Sequence, residues 1–239
     1  MADRTTDTRF WFAPAPGRDH VPAILRRSAT SCALLVLAHG AGAGMEHHFL
    51  EDLAAALAAR EIATFRYQFP YTAAGKRRPD PPALLESCAR AAVAEAARAC
   101  ADLPLFAGGK SMGGRITSQA QAKEPLAGAR GLVFFGFPLH AAAAPATKRG
   151  DHLARTGLPL LFLQGERDKL ADLLLLRPIV AALGPRARLQ VVPEGDHSFA
   201  VPKRTGRTAA EVIDWLAQQT RTFVLVPCAS PALSFNSMK

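Results

Sequence analysis

Short apolar runs alternate with longer stretches whose apolar residues recur every three or four positions, and this rhythm persists along most of the chain. Such alternation is the signature of a mainly parallel sheet covered by helices. Two small segments come first, at residues 10–12 and 23–25, separated by Pro14, Pro16 and Gly17. They read as an antiparallel edge. Residues 33–38 are apolar without interruption, as expected for a strand buried on both faces. Further strands are expected at 62–67, 105–107, 132–135, 160–163 and 189–192.

Helices fall between them. Phe49, Leu50, Leu53 and Leu57 share one face, as do Met112, Ile116 and Ala120, and the final helix carries Val212, Trp215 and Leu216. An Ala-rich helix is expected over 81–100, with Asp80 as N-cap and prolines in the first turn. Residues 138–157 form a long, irregular, Ala-rich connection of the kind that often carries function. The pattern places one domain over residues 1–219 and a poorly ordered tail over 220–239.

The 239 residues suit a single larger α/β domain, and 49% hydrophobic against 21% charged residues gives it a sizeable core. A formal charge of +9 raises the possibility of an anionic partner. The basic residues are scattered, however, apart from Lys76-Arg77-Arg78, and no basic run is interleaved with aromatics. Nucleic-acid binding is therefore not expected. The N-terminus lacks an apolar signal region, and residues 32–38 are far too short to span a bilayer. Cys32, Cys88, Cys100 and Cys228 form no CxxC pair. Cys88 and Cys100 on one helix would stand roughly 18 Å apart, beyond disulfide reach. Reduced thiols, a cytoplasmic location, no membrane and no metal follow as expectations; the oligomeric state is left open.

The candidate chemistry centres on Gly109-Lys110-Ser111-Met112-Gly113, which follows a strand and opens a helix. That setting is required by a nucleophile elbow, in which a tight turn lifts the serine hydroxyl out of the sheet. Two phosphate-binding alternatives fail on single residues. A P-loop would need glycine where Pro104 stands, and a dinucleotide fingerprint starting at Gly40 and Gly42 would need glycine where Met45 stands. No cofactor is expected.

A serine hydroxyl needs a histidine base, and the base needs a carboxylate to fix its tautomer. Among seven histidines, His197 follows the last strand and precedes the final helix, where the base belongs. His39 braces the turn after the third strand, while His47 and His48 open a helix. Glu166 and Asp168 compete for the role of acid at the end of the preceding strand; Asp168 is favoured, and Asp196 is weaker because adjacent side chains diverge. The N–H groups of Met112 and of Ala41 or Gly42 are the expected oxyanion donors. Gly42 and His140 are expected to contact substrate.

Several further strings sharpen this picture: Leu37-Ala38-His39-Gly40-Ala41-Gly42-Ala43-Gly44-Met45, Phe69-Pro70-Tyr71, Gly75-Lys76-Arg77-Arg78-Pro79-Asp80, Gly108 through Arg115, Phe135-Gly136-Phe137-Pro138-Leu139-His140, Gln164-Gly165-Glu166-Arg167-Asp168 and Gly195-Asp196-His197-Ser198-Phe199. Together they resemble the α/β-hydrolase family related to dienelactone hydrolases, which has vertebrate relatives in a chromatin-acetyltransferase complex. The resemblance spans roughly residues 9 to 218. It implies an α/β-hydrolase fold and a Ser111–Asp168–His197 triad. True dienelactone hydrolases use a cysteine nucleophile, so their substrate does not carry over. The expected activity is cleavage of a small acyl ester or thioester through an acyl-enzyme, with Lys76-Arg77-Arg78 as the feature that would select an anionic substrate. The alternative is a hydrolase fold serving as a non-catalytic scaffold.

Overall fold

The computed structural model describes residues 5–225. Eight strands form one sheet: β1 (Thr6–Phe12), β2 (Val21–Arg27), β3 (Ala33–Ala38), β4 (Ile62–Tyr67), β5 (Leu105–Lys110), β6 (Ala129–Phe135), β7 (Leu160–Gly165) and β8 (Ala187–Val192). Their spatial order is β1-β2-β4-β3-β5-β6-β7-β8. β1 and β2 pair antiparallel, β2 meets β4 antiparallel, and every other neighbour is parallel. The antiparallel edge and parallel body expected from the sequence are both present.

Alternation along β3 explains how the sheet acquires two cores. Leu34, Val36 and Ala38 face one helical layer, while Ala33, Leu35 and Leu37 face the other. The first layer is built from α3 (Pro82–Ala99), α4 (Met112–Lys123) and α5 (Leu173–Ala182), with the short α2 (Pro70–Ala73) beside them. The second is α1 (His48–Ala58) and α6 (Ala209–Leu225). After β3 the chain builds β4 on one side, then crosses to β5 on the other. Loops leaving β3 and β5 therefore diverge at their carboxyl ends, which is where α/β sheets open a crevice for ligands.

Two local expectations change. Asp80 does not cap α3: Pro81 holds the N-cap position without a side-chain bond, and the Asp80 carboxylate instead accepts the Tyr71 N–H at 2.7 Å. The expected tail boundary at 219–220 also moves. α6 continues to Leu225 because Thr220, Phe223 and Val224 extend the apolar stripe of Leu216 and Ala217. Phe223 packs edge-on against Phe106 of β5, with ring centroids 6.1 Å apart. The rest of the expected tail, residues 226–239, lies outside the described residues. The long connection at 138–157 contains two single-turn 3₁₀ segments, Lys148–Gly150 and Leu153–Thr156, the second buried against α4 by Leu153.

No helix among the described residues is long and apolar enough to cross a membrane. No group of three or more His, Cys, Asp or Glu side chains among them stands positioned to hold a metal ion. Cys32, Cys88 and Cys100 are free thiols.

Candidate active site

Ser111 occupies the turn between β5 and α4 with φ 50° and ψ −119°, a conformation that side chains other than hydrogen adopt at a cost of about 1–3 kcal/mol. The neighbouring glycines make that turn possible. A β-carbon on Gly109 would lie 2.2 Å from the Ala38 carbonyl oxygen, and one on Gly113 would lie 2.5 Å from the same atom. Neither backbone can accept a methyl group, because β3 runs directly against both.

The three residues expected to act together are joined by two hydrogen bonds. Ser111 Oγ stands 2.8 Å from His197 Nε2, and His197 Nδ1 stands 2.7 Å from Asp168 Oδ2. An ionised carboxylate only accepts, so Nδ1 carries the proton and Nε2 is left free to accept the serine hydroxyl proton. The Asp168 side chain is fully buried, whereas the imidazole keeps a quarter of its exposure. That gradient leaves the reacting end of the set open to a ligand and the orienting end dry.

Competing carboxylates have other duties. Glu166 accepts the Glu194 N–H at 2.7 Å and braces the turn after β8. Asp196 Oδ1 accepts from the N–H groups of Ser198 and Ala200, closing the loop that carries the histidine. Asp168 is held by two donors the sequence reading did not single out: the Leu170 N–H at 2.7 Å and the Gln164 side-chain amide. Gln164 is itself fixed, its Oε1 accepting the Phe137 N–H at 2.9 Å. Its signal in the sequence was a polar residue at the end of an otherwise apolar buried strand.

The turn after β3 lies alongside Ser111. A β-carbon on Gly40 would come 3.6 Å from Ser111 Cβ, so the turn that continues into Ala41 and Gly42 passes the serine at Gly40. Among the described residues, no acceptor takes the N–H of Ala41, Gly42 or Met112. Met112 is the first residue of α4, where the helix dipole adds to its N–H. Gly42 has φ 73°, a left-handed position that glycine occupies without strain.

His39 anchors this turn. Its Nδ1 lies 2.8 Å from the Gly40 carbonyl oxygen, and its Nε2 accepts the Phe69 N–H at 3.1 Å. Burial pushes its pKa down to about 4, which keeps the ring neutral and both bonds intact at neutral pH. His140 is likewise occupied on both nitrogens, by the Ala141 carbonyl at 2.9 Å and the Asp172 N–H at 2.8 Å. It ties the loop after β6 to the start of α5 and presents no free nitrogen to a substrate. His152 bonds Ser118 of α4 at 2.7 Å, and burial lowers its pKa to about 4. His47 caps α1, accepting the Phe49 N–H at 3.3 Å.

Lys76, Arg77 and Arg78 line a concavity of about 740 Å³ formed by residues 76–82. Ser111, Asp168 and His197 do not border it. Its link to the site runs through Asp80, which bonds Tyr71, whose ring lies 6.0 Å from that of His39. Asp80 is the sole carboxylate of this loop and is turned inward, so the loop's positive charge is not neutralised from within.

A family model described as an alpha/beta hydrolase domain matches residues 31–225. Solved structures similar to this chain include a dienelactone hydrolase from Anabaena variabilis (17% identity, TM-score 0.71, covering 91% of this chain and 96% of that one). A serine hydrolase from Xanthomonas campestris, described as lacking a lid, is similar at 16% identity and TM-score 0.70 over 92% of this chain and 96% of its own. An alpha-beta serine hydrolase homologue from Coxiella burnetii matches at 16% identity and TM-score 0.69, over 89% and 96%. Likeness at these identities concerns the fold.

Proposed function

The chain belongs to the alpha/beta hydrolase domain family, and from that premise we propose that it is a serine hydrolase acting on a small acyl ester or thioester through an acyl-enzyme. The observation that carries this reading is the unbroken hydrogen-bonded line from Ser111 through His197 to Asp168. A serine held in a strained turn, with a neutral imidazole nitrogen aimed at its hydroxyl, is an activated nucleophile.

In the proposed reaction, His197 Nε2 takes the hydroxyl proton as Ser111 Oγ bonds to the acyl carbon. The electron pair of the carbonyl moves onto its oxygen, where the N–H groups of Met112 and Ala41, or Gly42, receive it. The imidazolium, stabilised by Asp168, then donates its proton to the departing alkoxide or thiolate as that bond breaks. Water repeats the sequence on the acyl-enzyme: His197 takes a proton from it, and the acid leaves as Ser111 is reprotonated. Asp168 never needs to accept a proton, since its work is to hold the tautomer.

The uncompensated charge of Lys76, Arg77 and Arg78 supports a substrate that bears an anionic group away from the cleaved bond. A panel of short-chain nitrophenyl esters, some carrying a carboxylate on the acyl chain, tests both parts of the reading. Turnover that disappears in Ser111→Ala, and a lower KM for the carboxylate-bearing members at low salt, are expected. Turnover surviving in Ser111→Ala contradicts the nucleophile, and equal KM values contradict the anionic preference.

A further inference from the structure

Lys110 immediately precedes the candidate nucleophile, yet the proposed chemistry gives it no role. Its half-buried side chain turns toward the loop that bears His197, where Nζ donates to the His197 backbone carbonyl at 2.6 Å. Two aromatic rings flank the ammonium: the Phe49 centroid lies 5.7 Å away and the Phe199 centroid 5.3 Å away. These rings stack on each other at 5.7 Å, so α1 and the histidine loop meet at this cation.

A lysine withdrawn even partly from solvent usually pairs with a carboxylate. Here the bonded acceptor is a main-chain carbonyl, supplemented by the faces of two rings. The cost of placing a charge there is offset only if the contact is well formed. The loop it grips is itself strained, since Phe199 has φ 64° and Glu194 has φ 55°. A β-carbon on Gly136 would fall 3.0 Å from Lys110 Nζ and 3.5 Å from His197 Cε1, so the ammonium and the imidazole border the same small gap.

We propose that Lys110 is a positioning residue, a clamp that pins the histidine loop to the nucleophile strand and so fixes the imidazole between Ser111 and Asp168. The inference rests on the Ser111–His197–Asp168 reading. Its physical logic is that one residue step separates the clamp from the nucleophile. Ser111 leaves the turn in one direction and Lys110 in the other, and both meet residue 197, one at its ring and one at its carbonyl. Any displacement of the loop along the strand stretches the two contacts together.

The clamp depends on charge. Burial lowers the Lys110 pKa to about 8, opposed by the nearby carboxylates of Asp168 and Asp196. Other groups facing it are the Phe49 and Phe199 rings, the His197 carbonyl and, across the α1 N-terminus, His47, whose pKa Lys110 helps to lower. As pH rises through about 8 the ammonium becomes an amine, loses its attraction to the rings and donates more weakly. The rate of reaction at Ser111 is then expected to fall.

The test is the second-order rate of labelling by a fluorophosphonate, measured from pH 6 to 10 on the parent protein, Ser111→Ala, Lys110→Met and Lys110→Arg. The parent is expected to label with a decline above pH 8, and Ser111→Ala not to label. Lys110→Met is expected to label about tenfold to a hundredfold more slowly with no decline near pH 8. Lys110→Arg, which keeps the charge at every pH tested, is expected to recover part of the rate and to lose the alkaline decline. Lys110→Met labelling at the parental rate, or the decline near pH 8 persisting in both lysine variants, would overturn the clamp while leaving the triad intact. If Lys110→Met fails to fold, the parent and Lys110→Arg profiles alone decide the matter. A parent protein that does not label at all overturns both readings.

Discussion

Ser111 holds a backbone conformation that its own side chain disfavours, and it stays there because β3 leaves no alternative. Gly113 shares that constraint, since a β-carbon there would lie 2.5 and 2.6 Å from the Ala38 and His39 carbonyl oxygens. Gly113→Ala must push α4 off the sheet. The expected outcome is a loss of about 2 kcal/mol or more in urea unfolding, accompanied by loss of fluorophosphonate labelling. Unchanged stability and labelling would show that the turn has slack. The placement of Ser111, Asp168 and His197 at the ends of successive strands was readable in advance, and the fold brings the three side chains within hydrogen-bond distance. The choice among Asp168, Glu166 and Asp196 is a different matter. It depends on where each carboxylate finds a backbone donor, which local sequence does not encode. Lys110 and His140 illustrate the same limit, because their partners lie 87 and 32 residues away along the chain.

At the scale of elements, periodicity located the strands and helices, but their ends were set by tertiary packing. β1 and β2 are each longer than their apolar centres because antiparallel pairing extends outward from Phe10–Ala23 into polar residues. Asp80 had the ordinary credentials of a helix cap, and lost that role to a longer-range bond with Tyr71 that closes the loop after α2. The tail boundary failed for the opposite reason. Phe223-Val224 falls within the expected tail, yet at helical spacing it continues the buried face of α6. Phe223→Ala is accordingly expected to cost about 3 kcal/mol of folding stability by urea denaturation, as large-to-small core changes do. A change below about 0.5 kcal/mol would mean that the last turn of α6 contributes nothing to the core.

At the scale of the whole molecule, two buried histidines connect the site to acid stability. His39 and His152 have folded-state pKa values near 4, below the ordinary histidine value of 6.5, chiefly because burial penalises their charged forms. Between these values the unfolded chain binds more protons than the folded one, so stability rises with pH through that interval and is lost as pH falls toward 4. His39 alone accounts for about 3 kcal/mol of that loss at full effect. Urea midpoints from pH 7 to 4 are expected to decline steadily, and a flat profile would indicate that burial does not depress the His39 pKa in the folded protein. The proposed chemistry turns on the identity of the nucleophile. The most direct measurement is peptide mapping by mass spectrometry after fluorophosphonate treatment: a single phosphonyl adduct on Ser111 is predicted, absent from Ser111→Ala. An adduct on another residue, or none on Ser111 in the folded parent protein, would contradict it.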